Sequence, residues 1–74
     1  MKNKTIHSEE YRALIQKLIN ARKHIKFTQN YVAKKLGCSQ SYISKVENCQ
    51  IRLDPIQLKE LSKIYKVSVY DLLG

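Results

Sequence analysis

Gln40, Ser41, Ser44, Lys45 and Asn48 share one side of a short segment when its residues are placed at about 100° intervals around a helix axis. With Gln40 at the origin, Ser44 lies at about 40°, Asn48 at about 80°, Ser41 at about 100° and Lys45 at about 140°, whereas Tyr42, Ile43 and Val46 occupy roughly 200° to 300°. Glu47 falls at about 340°, on the border of the apolar side. The polar side therefore carries amides, hydroxyls and one cation, and no carboxylate. Those groups suit the edges of base pairs in a major groove: an amide pairs bidentately with adenine, a lysine reaches the acceptors of guanine, and small hydroxyls allow close approach. Ser44 faces the same side as Gln40, Ser41 and Lys45, so these four are the candidate base-reading residues.

No other constellation competes with this one. The chain has no nucleophile beside a base, no pocket-forming carboxylate pair and no glycine-rich phosphate loop, so no catalytic residue and no enzyme activity are expected. Cys38 and Cys49 form no C-x-x-C pair, and His7 and His24 both precede them, which argues against a zinc site; no metal or other cofactor is expected. Cys38, between Leu36 and Ile43, reads as a small core residue, and two reduced thiols fit a cytoplasmic setting. No apolar run approaches the length of a membrane span or of a signal peptide's central region.

A face of this kind needs a scaffold, and 74 residues supply one small domain. Fourteen Lys and Arg against six Asp and Glu give a net charge of +8, which favours a polyanionic partner. Charge alone does not choose between nucleic acid and an anionic membrane. Residues 1–7 are polar and basic without periodicity and read as a flexible arm able to follow a partner, leaving residues 8–74 as the folded domain.

Five helices are expected. Tyr11, Leu14, Ile15, Leu18 and Ile19 form one apolar stripe, with acids at its start and Arg22, Lys23 and His24 at its end, over about residues 8–23. Four further starts share one pattern: an apolar residue, a capping Ser, Thr or Asp, and an apolar residue five positions after the first. They are Phe27-Thr28 with Val32, Cys38-Ser39 with Ile43, Leu53-Asp54 with Leu58, and Val67-Ser68 with Leu72. Asp54 has Pro55 at the first helical position and Gln57 three residues after the cap, a capping-box spacing. These starts place helices near 29–36, 40–48, 55–65 and 69–73, and nothing alternates with the period of a strand. The class is all-α.

The second and third helices are separated only by Gly37, Cys38 and Ser39, which makes a helix-turn-helix. Val32, Leu36, Cys38, Ile43 and Val46 form its shared core, and the small Ala33 lets the two helices cross closely. Lys34 and Arg52 flank this unit as candidate phosphate contacts, against the alternative of solvated surface. Tyr42 either reaches a phosphate through its hydroxyl or packs its ring at the rim of the core. Tyr65, Val67, Val69, Tyr70 and Leu73 exceed what two short terminal helices can bury, and are the candidate surface for a two-fold interface.

The run from Phe27 to Asn48, with Arg52-Leu53-Asp54 and Lys66-Val67-Ser68-Val69-Tyr70-Asp71-Leu72-Leu73 beyond it, resembles the phage repressor and Cro-type (XRE) helix-turn-helix family over nearly everything after residue 8. The resemblance implies a compact five-helix, lambda-repressor-like domain that binds double-stranded DNA, usually as a homodimer on a palindromic operator, as a transcriptional regulator, repressor or controller. It implies that Gln29 touches a phosphate and braces Gln40, that Gln40, Ser41 and Lys45 read bases, and that Asn48 contacts a phosphate. It also implies an ion pair between Arg22 and Glu47. Three positions depart from the pattern, since Lys26, Cys49 and Lys66 stand where glycine is frequent; either these turns are shaped differently or they carry strain. The rival use of such a fold is protein binding, as an antitoxin gripping a toxin or as an adaptor. The carboxylate-free face of the third helix distinguishes DNA reading from that use.

Overall fold

The computed structural model describes residues 8–74. The arm expected at residues 1–7 lies outside the described residues. Five helices follow in order, α1 (Glu9–His24), α2 (Gln29–Leu36), α3 (Gln40–Glu47), α4 (Pro55–Tyr65) and α5 (Val69–Leu73), and no strand occurs among the described residues. Ser8 belongs outside α1 and Asn48 outside α3, because each serves as a cap and not as a helical residue.

Every helix begins on a short polar side chain that satisfies an otherwise orphaned amide. Ser8 Oγ accepts from the Tyr11 amide at 3.1 Å, Thr28 Oγ1 from Tyr31 at 3.0 Å, Ser39 Oγ from Tyr42 at 3.1 Å, and Ser68 Oγ from Asp71 at 3.0 Å. Asp54 Oδ1 accepts from both Ile56 and Gln57, at 2.8 and 3.0 Å. The Gln57 side chain does not return to the Asp54 amide as a capping box requires; it accepts a hydrogen bond from the Tyr42 hydroxyl and so ties α4 to α3.

Helix ends explain the turns. Gly37 closes α2 with φ 81°, and the amides of Gly37 and Cys38 both donate to the Ala33 carbonyl at 2.9 Å. That left-handed residue turns the chain within three residues from α2 into α3. Lys26, Cys49 and Lys66 adopt φ of 64°, 57° and 60°. The glycine-like turns are therefore kept, and L side chains occupy left-handed backbone at a cost on the order of 1–2 kcal/mol each.

The core is formed by Ile15 and Leu18 of α1, Val32 and Ala33 of α2, Ile43 and Val46 of α3, Leu53, Leu61 and Tyr65 around α4, and Leu72 of α5. Leu36 and Cys38 are half-buried against this cluster. Ala33 is 1% exposed, so a larger side chain there would meet packed neighbours on every side. The Tyr11 hydroxyl accepts from the Leu53 amide at 2.9 Å, fastening the loop before α4 to the start of α1.

Tyr65, expected on an interface, is instead part of this core at 4% exposure. It continues the inward stripe of α4 through Leu58, Leu61 and Ser62, at the i, i+3, i+4, i+7 spacing of a buried face. Burial raises the pKa of its phenol, and the nearby Glu47 charge adds to the rise.

Candidate nucleic-acid interface

The helix-turn-helix is built by α2 and α3 packed on Val32, Ala33, Ile43 and Val46, with α1 behind α3. With Ile43 and Val46 turned inward, the opposite side of α3 is left to solvent. Gln40, Ser41, Lys45 and Asn48 are exposed there, and Ser44 is half-buried beside them. All five stand on the side that the helical arithmetic assigns to them.

Gln40 is held by a chain of hydrogen bonds that starts in the interior. Arg22 of α1 donates through Nε to Glu47 Oε2 at 2.7 Å and through Nη2 to Glu47 Oε1 at 2.9 Å. Its third nitrogen, Nη1, donates to the Phe27 carbonyl at 2.9 Å, so the guanidinium also fixes the turn before α2. The hydrogen bond to Glu47 raises the pKa of Arg22 and outweighs the opposing effect of burial. Gln29 Nε2 donates to Glu47 Oε1 at 2.9 Å, and Gln40 Nε2 donates to Gln29 Oε1 at 2.6 Å. The ion pair is thus more than a clamp between α1 and α3. Its side chains are 11% and 9% exposed, and burial of two charges offsets much of their attraction, so its larger effect is to fix geometry.

Lys34 is exposed on α2, and Arg52 is exposed on the loop to α4 at the rim of a groove between the start of α1 and the end of α5. Tyr42 is half-buried, and its hydroxyl hydrogen is committed to Gln57. Of the two roles open to Tyr42, this hydrogen bond favours the packed one, a tie between α3 and α4. The partner residue, Gln57, was hidden in the sequence behind its capping-box spacing. On α2, Tyr31 packs against Phe27 with ring centroids 4.5 Å apart, and the Lys35 ammonium lies 5.4 Å from the Tyr31 centroid.

Charge is distributed unevenly around this unit. Between Tyr11 and Leu53 the one acid in the sequence is Glu47, and it is paired with Arg22. The other acids stand at the start of α1 or from Asp54 onward. The stretch that contains α1, α2 and α3 is therefore poor in acids and carries an excess of Lys and Arg.

Of the five residues expected at an interface, Tyr70 and Leu73 are exposed at 89% and 63%, whereas Val67 and Val69 are half-buried. Ile56, 66% exposed at the start of α4, is a further apolar surface residue that the sequence reading passed over. It stands two residues before the buried stripe of α4 begins, on the opposite side of that helix. Among the described residues no cluster of His, Cys, Asp or Glu could hold a metal, and both cysteines are free. Burial raises the pKa of the Cys38 thiol. No described helix is long and apolar enough to cross a membrane.

Two helices joined by a three-residue turn, the second exposing a polar and carboxylate-free face, define a helix-turn-helix domain. A family model described as helix-turn-helix matches residues 18–72. A solved structure, described as an XRE-family like protein from Pseudomonas syringae pv. tomato str. DC3000, superimposes with a TM-score of 0.84 at 40% identity, covering 95% of this chain and 85% of that one. No curated protein matches the chain. The chain belongs to the XRE family of helix-turn-helix proteins, which places it among DNA-binding transcription regulators, a class typically without enzymatic activity.

Proposed function

We propose that the chain is a repressor or controller that binds a roughly palindromic operator as a homodimer, with α3 lying in the major groove. The observation that carries this reading is the solvent-exposed side of α3, where Gln40 is held by Gln29 beside Ser41 and Lys45 and no carboxylate intervenes. Gln40, Ser41, Ser44 and Lys45 face base edges, while Gln29, Lys34, Asn48 and Arg52 meet the backbone. One short recognition helix contacts too few base pairs to specify a site alone, and two-fold pairing doubles the reading frame, with half-sites about 34–36 Å apart. Exposed Tyr70 and Leu73 on α5 support a second copy of the chain as the apolar partner.

Selection from a random duplex pool, followed by sedimentation of the protein with its selected DNA, tests this. Two chains per duplex and a site with inverted symmetry are expected. A one-to-one complex at saturating protein would refute the homodimer, and recovery of no preferred sequence would turn the reading toward an antitoxin or adaptor.

A further inference from the structure

The hydrogen bonds that end on Gln40 have a direction, because their origin allows only one. A guanidinium donates and cannot accept, and a carboxylate accepts and cannot donate. Glu47, engaged by two nitrogens of Arg22, therefore forces Gln29 to turn its NH2 group inward, at 2.9 Å from Glu47 Oε1. The Gln29 carbonyl oxygen is left pointing at Gln40, and at 2.6 Å it requires a hydrogen from Gln40 Nε2. The orientation of both amides, ordinarily open to a 180° flip, is thus set by chemistry two residues away.

One of the two amide hydrogens of Gln40 is consequently committed to Gln29. What remains for a ligand is one hydrogen and the Oε1 acceptor. Adenine presents an acceptor at N7 and a donor at N6, and matches that pair. Guanine presents two acceptors, N7 and O6, and a bidentate contact to it needs two donors. Resting on the reading of α3 as the base-reading helix, we propose that Glu47, which touches no base, is a specificity-determining residue: through Gln29 it confines Gln40 to adenine and excludes guanine.

If Glu47 became an amide, the direction would no longer be imposed. Gln29 could present its NH2 group to Gln40 Oε1, and both Gln40 hydrogens would be free for guanine. Glu47→Gln keeps one oxygen for Arg22, and Gln29→Met leaves the ion pair whole while removing the link to Gln40. The second variant stands whether or not the first folds, and thermal melting checks both.

The experiment compares base frequencies in selected duplex pools for the unaltered protein, Gln40→Ala, Glu47→Gln and Gln29→Met. Gln40→Ala locates the base pair that Gln40 reads. At that pair the unaltered protein is expected to prefer adenine over guanine by at least about fivefold, and the folded variants are expected to bring the two within about twofold of each other. A preference for guanine in the unaltered protein, or an adenine preference that survives Gln29→Met, overturns the proposal. Should Gln40→Ala change no position, the base-reading role of α3 itself fails, and the proposal with it.

Discussion

Gln40 and Lys34 are both polar, exposed and within one helix-turn-helix, yet they are expected to behave differently when truncated. Gln40 is fixed in orientation by Gln29 and stands on α3, whereas Lys34 is an exposed point charge on α2. Base contacts specify and phosphate contacts position. Gln40→Ala and Lys45→Ala should each cost about 1–3 kcal/mol on the preferred site and less on random DNA. Lys34→Ala should weaken all sequences alike and lower the salt slope by about one per contact. Titration of both variants against selected and scrambled duplexes separates the roles; equal losses on the two duplexes for Gln40→Ala would contradict the division. A neighbouring hydroxyl gives a further test. Tyr42, between Ser41 and Ile43, has its hydroxyl engaged by Gln57, so Tyr42→Phe should act mainly on stability, by about 1 kcal/mol, with little change in DNA preference.

At the scale of the elements, the start of each helix was written in adjacent residues and the partners of long side chains were not. Phe27-Thr28 with Val32 or Cys38-Ser39 with Ile43 states a cap and a staple within six residues, and the structure realises both caps. The Gln40 contact to Gln29 was legible only through family resemblance, because eleven residues and a turn separate them. Gln57 was misassigned for the same reason: a local capping-box spacing competed with a tertiary partner fifteen residues away, and the tertiary partner won. The burial of Tyr65 was legible in the sequence, since Leu58, Leu61, Ser62 and Tyr65 make a regular inward stripe, and that periodicity overrides the apolar excess of the last two helices that points to an interface. Backbone conformation at Lys26, Cys49 and Lys66 stayed open in sequence because a lysine or cysteine says nothing about φ; the turns impose it. Two substitutions of opposite sign test that strain. Lys66→Gly should raise stability by about 1 kcal/mol, a rise of roughly 4–8 °C in Tm for a domain of this size. Gly37→Ala, at φ 81° with no heavy atom within 4 Å of the added methyl, should lower stability by about 1 kcal/mol through backbone conformation alone. Urea midpoints moving at unchanged slope would confirm both signs.

For the molecule as a whole, the question is whether a net charge of +8 lies where phosphates would meet it. Five of the six acids stand outside the span from Tyr11 to Leu53, and the sixth, Glu47, is neutralised by Arg22, so α2 and α3 present Lys34, Lys35 and Lys45 without an opposing free carboxylate. Lys17, in contrast, points into the groove between α1 and α5, where its ammonium donates to the Asp71 carbonyl at 3.3 Å. A dimer neutralising about six to ten phosphates should lose roughly 10³–10⁵ in affinity between 50 and 200 mM salt, because the counterions displaced from DNA are harder to release at higher concentration. Lys34→Ala should reduce the slope of log K against log salt by about two per dimer, one for each protomer. Lys17→Ala removes the same formal charge and should leave that slope nearly unchanged. Equal effects from the two substitutions would mean that net charge, and not its placement beside α3, governs binding. An affinity almost independent of salt in the unaltered protein would move the positive surface out of the DNA contact altogether and leave α3 to recognise a protein.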